Sequence, residues 1–211
     1  MRILIVAATE AEIGSLRSEV GSWKNGNVTI EFLITGVGMV ATAFAMGKHL
    51  ADNDYELVIN LGIAGSFDRN IALGEVVQVK EDTFAELGAE DGNKFLTIDQ
   101  LGFGQSTYVD GSVNSGSFFG ASNIKQVKAI TVNSVHGDEV SIKNVTERLS
   151  PQLESMEGAA FFYACEATAK VGIQIRAVSN YVEKRNRDNW QIGLAIKNLN
   201  TFAINLLQVV G

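Results

Sequence analysis

The chain has 211 residues, 46% of them hydrophobic and 19% charged, enough to bury a sizeable core without disulfides or metals. A formal net charge of −7 argues against nucleic acid as a partner, because that needs clustered Lys and Arg. The single cysteine, Cys165, excludes a disulfide within the chain and points to a reducing compartment; on an apolar helical stretch it reads as core.

Arg2 to Ala8 is an apolar run read as a buried strand, too short for a signal peptide or a membrane span. Thr9 can cap a helix over Glu10–Val20, with Glu12 at the capping-box position. Val28 to Thr35 alternates as a strand, Gly36-Val37-Gly38 is a turn, and Met39 to Ala51 is an Ala-rich helix. Leu57 to Leu61 is a strand ending in the glycine-rich turn Gly62 to Ser66, and Gly74 to Lys80 is another strand. The pattern weakens over Asp82 to Asn123, which reads as a long functional loop or a pair of irregular strands. Strands over Lys125–Asn133 and Ile173–Ser179 and helices over Asp138–Leu149, Ala159–Lys170 and Trp190–Val209 complete the chain. Alternating strands and helices predict a three-layer α/β/α sandwich with a central mixed, largely parallel sheet, as one domain over 1–211 in the cytoplasm.

Gly36-Val37-Gly38-Met39-Val40-Ala41 fits a dinucleotide fingerprint. The first strand, however, leads into Ala8-Thr9-Glu10, whose acid would repel a pyrophosphate, so the turn reads as a close backbone approach to another loop. Glu10 and Glu12 follow the first strand, at the sheet edge where ligands bind. Both also suit a helix N-terminus; Glu12 could alternatively be a general base.

Met156-Glu157 opens a wholly apolar helix. A carboxylate there needs donors, and two vicinal ribose hydroxyls are good ones. The plainer reading is a solvated acid at a helix start. Arg176, in a buried strand, is expected to pair with Glu157 or Glu12. Asn180 ends that strand and can meet the O6 and an N–H of a 6-oxopurine, where an Asp would suit a 6-amino base. His136, in a loop before a helix, could contact a ligand, whereas His49 reads as structural. Lys184-Arg185-Asn186-Arg187 is a solvated loop or touches an anionic part of a ligand. No metal-ligand spacing is present.

Together these segments resemble the purine nucleoside phosphorylase and nucleosidase superfamily. The resemblance runs in order through Ala8-Thr9-Glu10-Ala11-Glu12, Thr35-Gly36-Val37-Gly38, Asn60-Leu61-Gly62-Ile63-Ala64-Gly65, Gly74-Glu75-Val76-Val77, Ser155-Met156-Glu157-Gly158-Ala159-Ala160 and Arg176-Ala177-Val178-Ser179-Asn180. Within it the chain is similar to the methylthioadenosine/S-adenosylhomocysteine nucleosidase branch, and most to the futalosine hydrolases. This implies cleavage of a nucleoside N-glycosidic bond by water, with no cofactor, on a route to menaquinone. It also implies a homo-oligomer whose partner is a small-molecule nucleoside. Adenosine-type nucleosidases, nucleoside phosphorylases and a nucleoside-binding or storage protein are the alternatives. By resemblance Glu12 activates the water, Glu157 grips the ribose hydroxyls, and Met156 and Arg176 line the sugar and water site. Asn180 is the second catalytic residue, which with its neighbours protonates or hydrogen-bonds the departing base around N7 and O6, and Gly65, Ile63, His136 and Trp190 border the substrate. Ile63 stands where the nucleosidase pattern has a Ser, and Asn180 where adenine-cleaving members have an Asp, which favours hypoxanthine as leaving group. The stretch from Ala85 to Gly104 is expected to wall the far end of the substrate.

Overall fold

The computed structural model describes residues 1–21, 28–92, 94–111 and 124–210. The elements in chain order are β1 (Arg2–Ala7), α1 (Glu10–Val20), β2 (Thr29–Ile34), α2 (Met39–Asp52), β3 (Leu57–Ser66), β4 (Val76–Phe84), β5 (Gly88–Asp91), β6 (Lys94–Thr97), β7 (Thr107–Val109), β8 (Gln126–Thr131), α3 (Glu139–Leu149), β9 (Leu153–Ser155), α4 (Gly158–Ala167), β10 (Gly172–Tyr181) and α5 (Ile192–Val210). No helix among the described residues is long and apolar enough to cross a membrane.

β1 lies between β2 and β3 and is parallel to both. β3 carries parallel β10 on its other edge, and β10 carries antiparallel β4. From β4 the sheet runs through parallel β8 to parallel β9, which returns antiparallel to Gly65 and Ser66 at the end of β3. Those five strands close on themselves, while β1 and β2 extend the sheet from β3.

The two faces follow from strand alternation. Ile3, Ile5 and Ala7 of β1 pack with Ile13 and Leu16 of α1 and with Ala195, Leu199, Ala203 and Leu207 of α5. Leu4 and Val6 point the other way, into a core with Met46 and Leu50 of α2 and Phe161, Phe162 and Cys165 of α4. Helices thus cover both faces, giving the mixed three-layer α/β arrangement. Burial pushes the Cys165 thiol well up from its ordinary value, which fits a core role. His49 shares a 2.8 Å hydrogen bond with the Tyr55 hydroxyl.

Two elements differ from the sequence expectation. The glycine-rich stretch Gly62–Ser66 is strand, not turn. It pairs with β10 throughout, Gly62 opposite Arg176 and Ile63 opposite Ala177, with a bulge at Ser179 that sets Gly65 opposite Asn180. Its glycine serves space: a Cβ on Gly62 would lie 3.2 Å from Glu12 Oε1 and 3.4 Å from Arg176 Nη1. The weak region holds the β5–β6 hairpin and β7, which pairs with β4. The expected loop residues 112–123 lie outside the described residues.

Beneath the start of α4 is a polar layer. Asp82 is fully buried; its Oδ1 accepts from the Thr131 hydroxyl at 2.8 Å and its Oδ2 from Gln174 Nε2 at 3.1 Å. Gly158 sits directly on it, and an added Cβ would fall 2.0 Å from Asp82 Oδ2 and 2.3 Å from Gln174 Oε1. The neighbours are themselves hydrogen-bonded and buried, so Gly158→Ala must push α4 outward. Overpacking of this kind costs about 1–3 kcal/mol. The variant should unfold at correspondingly lower urea concentration; an unchanged midpoint would mean that α4 accommodates a side chain freely.

Candidate active site

A cavity of about 400 Å³ opens beyond the carboxyl ends of β1, β3 and β10, the ligand edge of a parallel sheet. Glu12, Met156, Glu157, Ile63, Gly65 and Asn180 all line it, as do His136 and Trp190. Segments far apart in sequence therefore meet here.

Glu12 is held from two directions. Its Oε2 accepts the Thr9 N–H at 2.9 Å and the Thr9 hydroxyl at 3.0 Å, as its place in the first turn of α1 dictates. Its Oε1 accepts the Ile63 N–H of β3 at 3.2 Å. Capping accounts for one oxygen only; the other ties α1 to the sheet and fixes the carboxylate at the cavity floor. The Ile63 side chain brings no hydroxyl, but its backbone N–H orients the acid.

Glu157 ends the turn before α4. It is not a solvated cap: Oε1 accepts the Gly38 N–H at 2.9 Å and Oε2 the Met156 N–H at 3.3 Å. Gly38 has φ 97°, a left-handed conformation that glycine adopts readily. The dinucleotide-like turn therefore presents its amide to a carboxylate. Burial pushes the Glu157 carboxyl above its ordinary value; Arg176 and the Gly38 N–H pull it back, and the charge of Glu12 pushes it further up. The two acids thus act on each other across one cavity.

Arg176 corrects two expectations. It is 1% exposed and lies beneath the cavity rather than among the residues lining it. It also forms no direct ion pair among the described residues. Its Nη2 instead donates to Asn60 Oδ1, and Nη1 donates to the Asn60 and Ile175 carbonyls. The cause is register. Asn60 stands opposite Gln174 and Gly62 opposite Arg176, so the guanidinium meets the Asn60 amide first. Burial pulls Arg176 down from its ordinary value, opposed by the charges of Glu157, Asp82 and Glu12. Its Nε has no partner among the described residues.

At the other end, Asn180 Oδ1 accepts from the Ser179 hydroxyl at 2.8 Å and Nδ2 donates to the Tyr181 carbonyl at 3.1 Å. An amide can still offer a second N–H and a second lone pair. His136 is tied to Glu154 of β9, whose Oε2 lies 2.6 Å from Nδ1 and whose Oε1 accepts the His136 N–H at 3.0 Å. Glu154 lies in β9, a strand of three residues, too short for sequence periodicity to reveal. Trp190 precedes α5 instead of starting it, in an extended conformation after a short 3-10 turn. Arg185, from the basic run, lines the cavity with its guanidinium 5.2 Å from the Trp190 ring. No described residue of 85–104 reaches this cavity. Glu86 and Leu87 border a separate hollow with Met39, Val40 and Tyr163, because β4 runs on to Phe84 and carries the hairpin toward α2 and α4.

Residues 3–211 match the family model of the phosphorylase superfamily. The chain belongs to this superfamily. Among the superfamily's curated members, a futalosine hydrolase from Thermus thermophilus is 31% identical over 80% of the chain and 76% of its own length. One from Streptomyces coelicolor is 33% identical over 80% of the chain and 74% of its own length. A solved structure of futalosine hydrolase from Helicobacter pylori superposes with a TM-score of 0.81 at 11% identity, covering 99% of this chain and 98% of that one. A 5′-methylthioadenosine/S-adenosylhomocysteine nucleosidase from Neisseria meningitidis superposes at 0.77 and 17% identity, over 99% of both chains. At these identities the superpositions establish the shared fold.

Proposed function

We propose that this chain hydrolyses the N-glycosidic bond of futalosine, releasing hypoxanthine. The observation that carries the reading is the convergence of Glu12, Glu157 and Asn180 on one cavity. The identity to curated futalosine hydrolases over most of the chain supports it.

Three tasks fall to three places. Glu157, part-buried and met by two backbone N–H groups, has lone pairs left for the ribose 2′ and 3′ hydroxyls. Positive charge develops on the sugar as the bond to the base breaks, and a preorganised carboxylate stabilises it. Glu12 takes the proton of the attacking water, its orientation set by Thr9 and Ile63. The Asn180 amide recognises the 6-oxopurine. Arg176, under the floor, draws the Glu157 carboxyl back toward its ordinary value without touching substrate. Water rather than phosphate is the nucleophile: Glu12 and Glu157 repel an anion, and neither the Gly36 turn nor the Gly62–Ser66 end of β3 carries a basic side chain.

The test is product analysis with futalosine, methylthioadenosine and inosine, each with and without phosphate. Hypoxanthine should appear from futalosine in phosphate-free buffer. Dominant adenine release from methylthioadenosine, or a strict phosphate requirement, overturns the reading.

A further inference from the structure

The base end of the cavity poses a chemical problem. A purine leaves far more readily once its imidazole ring is protonated or strongly hydrogen-bonded. Asn180 can orient an oxopurine, but a carboxamide has no titratable proton to give. Some other group must supply it.

Gly65 marks where to look. A Cβ added there would lie 3.2 Å from Asn180 Nδ2 and 3.6 Å from Glu154 Cγ, so the Asn180 amide and Glu154 flank the same point of β3. Glu154 is 3% exposed and spends both oxygens on one residue, Oε1 on the His136 N–H and Oε2 on the ring Nδ1. This grip fixes the loop and the imidazole together. With Nδ1–H given to the carboxylate, Nε2 has no partner among the described residues, and both residues line the cavity. A buried carboxylate behind an imidazole whose far nitrogen is free is an arrangement for passing a proton.

We propose that His136, oriented by Glu154, is the general acid that protonates the departing base. The inference rests on the nucleoside-hydrolysis reading above. In the step, the C1′–N9 bond breaks and its electron pair passes into the purine ring. The Nε2 proton of His136 moves to purine N7, so imidazolium becomes neutral imidazole. Water adds to C1′ and yields its proton to Glu12. Glu12 then releases that proton and His136 takes one up from solvent, leaving hypoxanthine and the free sugar as net products of one water consumed. His136 touches the base and is catalytic; Glu154 is a positioning residue. The other charged groups around this cavity are Glu183 and Arg185 from the segment after β10, and Glu12 and Glu157 at the sugar end.

The experiment measures kcat and KM for hypoxanthine release from futalosine against pH, for the wild type, His136→Gln and Glu154→Gln. The wild-type rate should fall on the alkaline side as the acid deprotonates. His136→Gln should lose roughly 10²–10⁴-fold in kcat with little change in KM, and that alkaline limb should vanish. Glu154→Gln should keep the limb and lower kcat with little change in KM, because His136 is still the acid but the ring has lost the carboxylate that orients it. Retained binding of hypoxanthine by each variant, read by calorimetry, shows that the cavity is intact. If His136→Gln keeps a wild-type kcat, or loses rate with its alkaline limb unmoved, His136 is not the acid. If the wild type releases no hypoxanthine from futalosine, the function reading itself falls, an outcome distinct from either of these.

Discussion

Replacing Glu12 by Gln is expected to lower kcat for futalosine hydrolysis by roughly 10²–10⁴-fold, the contribution of a positioned general base. KM should stay within a few fold, because Glu157, Met156 and Asn180 hold the sugar and base without Glu12. The geometry adds a second expectation. Both oxygens of Glu12 accept N–H donors, Oε2 from Thr9 and Oε1 from Ile63. A carboxamide can satisfy only one of these and must set its NH2 against the other. Since Thr9 also offers its hydroxyl to Oε2, the Gln oxygen belongs on that side, and the Ile63 N–H loses its acceptor. Leaving a buried group unpaired costs about 1–3 kcal/mol, and this part-buried N–H at the cavity edge should fall at the low end. The variant should therefore be slower and less stable, yet still bind hypoxanthine. Saturating kcat within tenfold of the wild type would remove Glu12 from the role of base.

Much of this site was legible because chemistry-bearing residues interrupt apolar patterns. Glu157 at the head of an all-apolar helix and Arg176 inside a buried strand could not be ordinary; the first lines the cavity and the second lies buried beneath it. Thr9 and Glu12 were legible as a helix start, and that capping contact is one of the two that aim the carboxylate. What stayed hidden depends on register. The sequence pairs Arg176 with a carboxylate, but only the alignment of β10 on β3 shows that Asn60 comes first. Gly62 to Ser66 reads as a turn because glycine usually marks one; here Gly62 clears room for Glu12 and Arg176. The His136–Glu154 pair joins a loop to a three-residue strand, and no spacing rule connects them. Trp190 appears to a periodicity argument as the first residue of α5, although it precedes the helix and faces the cavity.

Arg176→Met should produce the largest stability loss, and its size should depend on pH. Arg176 is the buried cation of a region holding Asp82, Glu157 and Glu12. Removing one member of such a group leaves uncompensated buried charge and costs about 3–5 kcal/mol. Asp82 sets the pH window. Burial pushes its carboxyl up to about 6, against the lowering effects of Thr131, Gln174 and Arg176. A folded-state value above the unfolded one means that the folded chain holds the extra proton. The stability this contributes is complete below the unfolded value of about 4 and is lost as pH rises through about 6. Without Arg176 the Asp82 carboxyl rises further, so ionising it costs the variant more. Glu157, already raised by burial and restrained by Arg176, moves in the same direction. The stability gap between wild type and Arg176→Met should thus widen as pH rises past about 6. It should narrow near pH ~4, where both forms hold these protons, leaving only the pH-independent loss of the hydrogen bonds to Asn60 and Ile175. Urea unfolding at pH ~4 and pH ~8, at constant ionic strength, measures the two gaps. Equal gaps at both values would mean that Arg176 stabilises the fold through those hydrogen bonds alone and carries no electrostatic load for the acids above it.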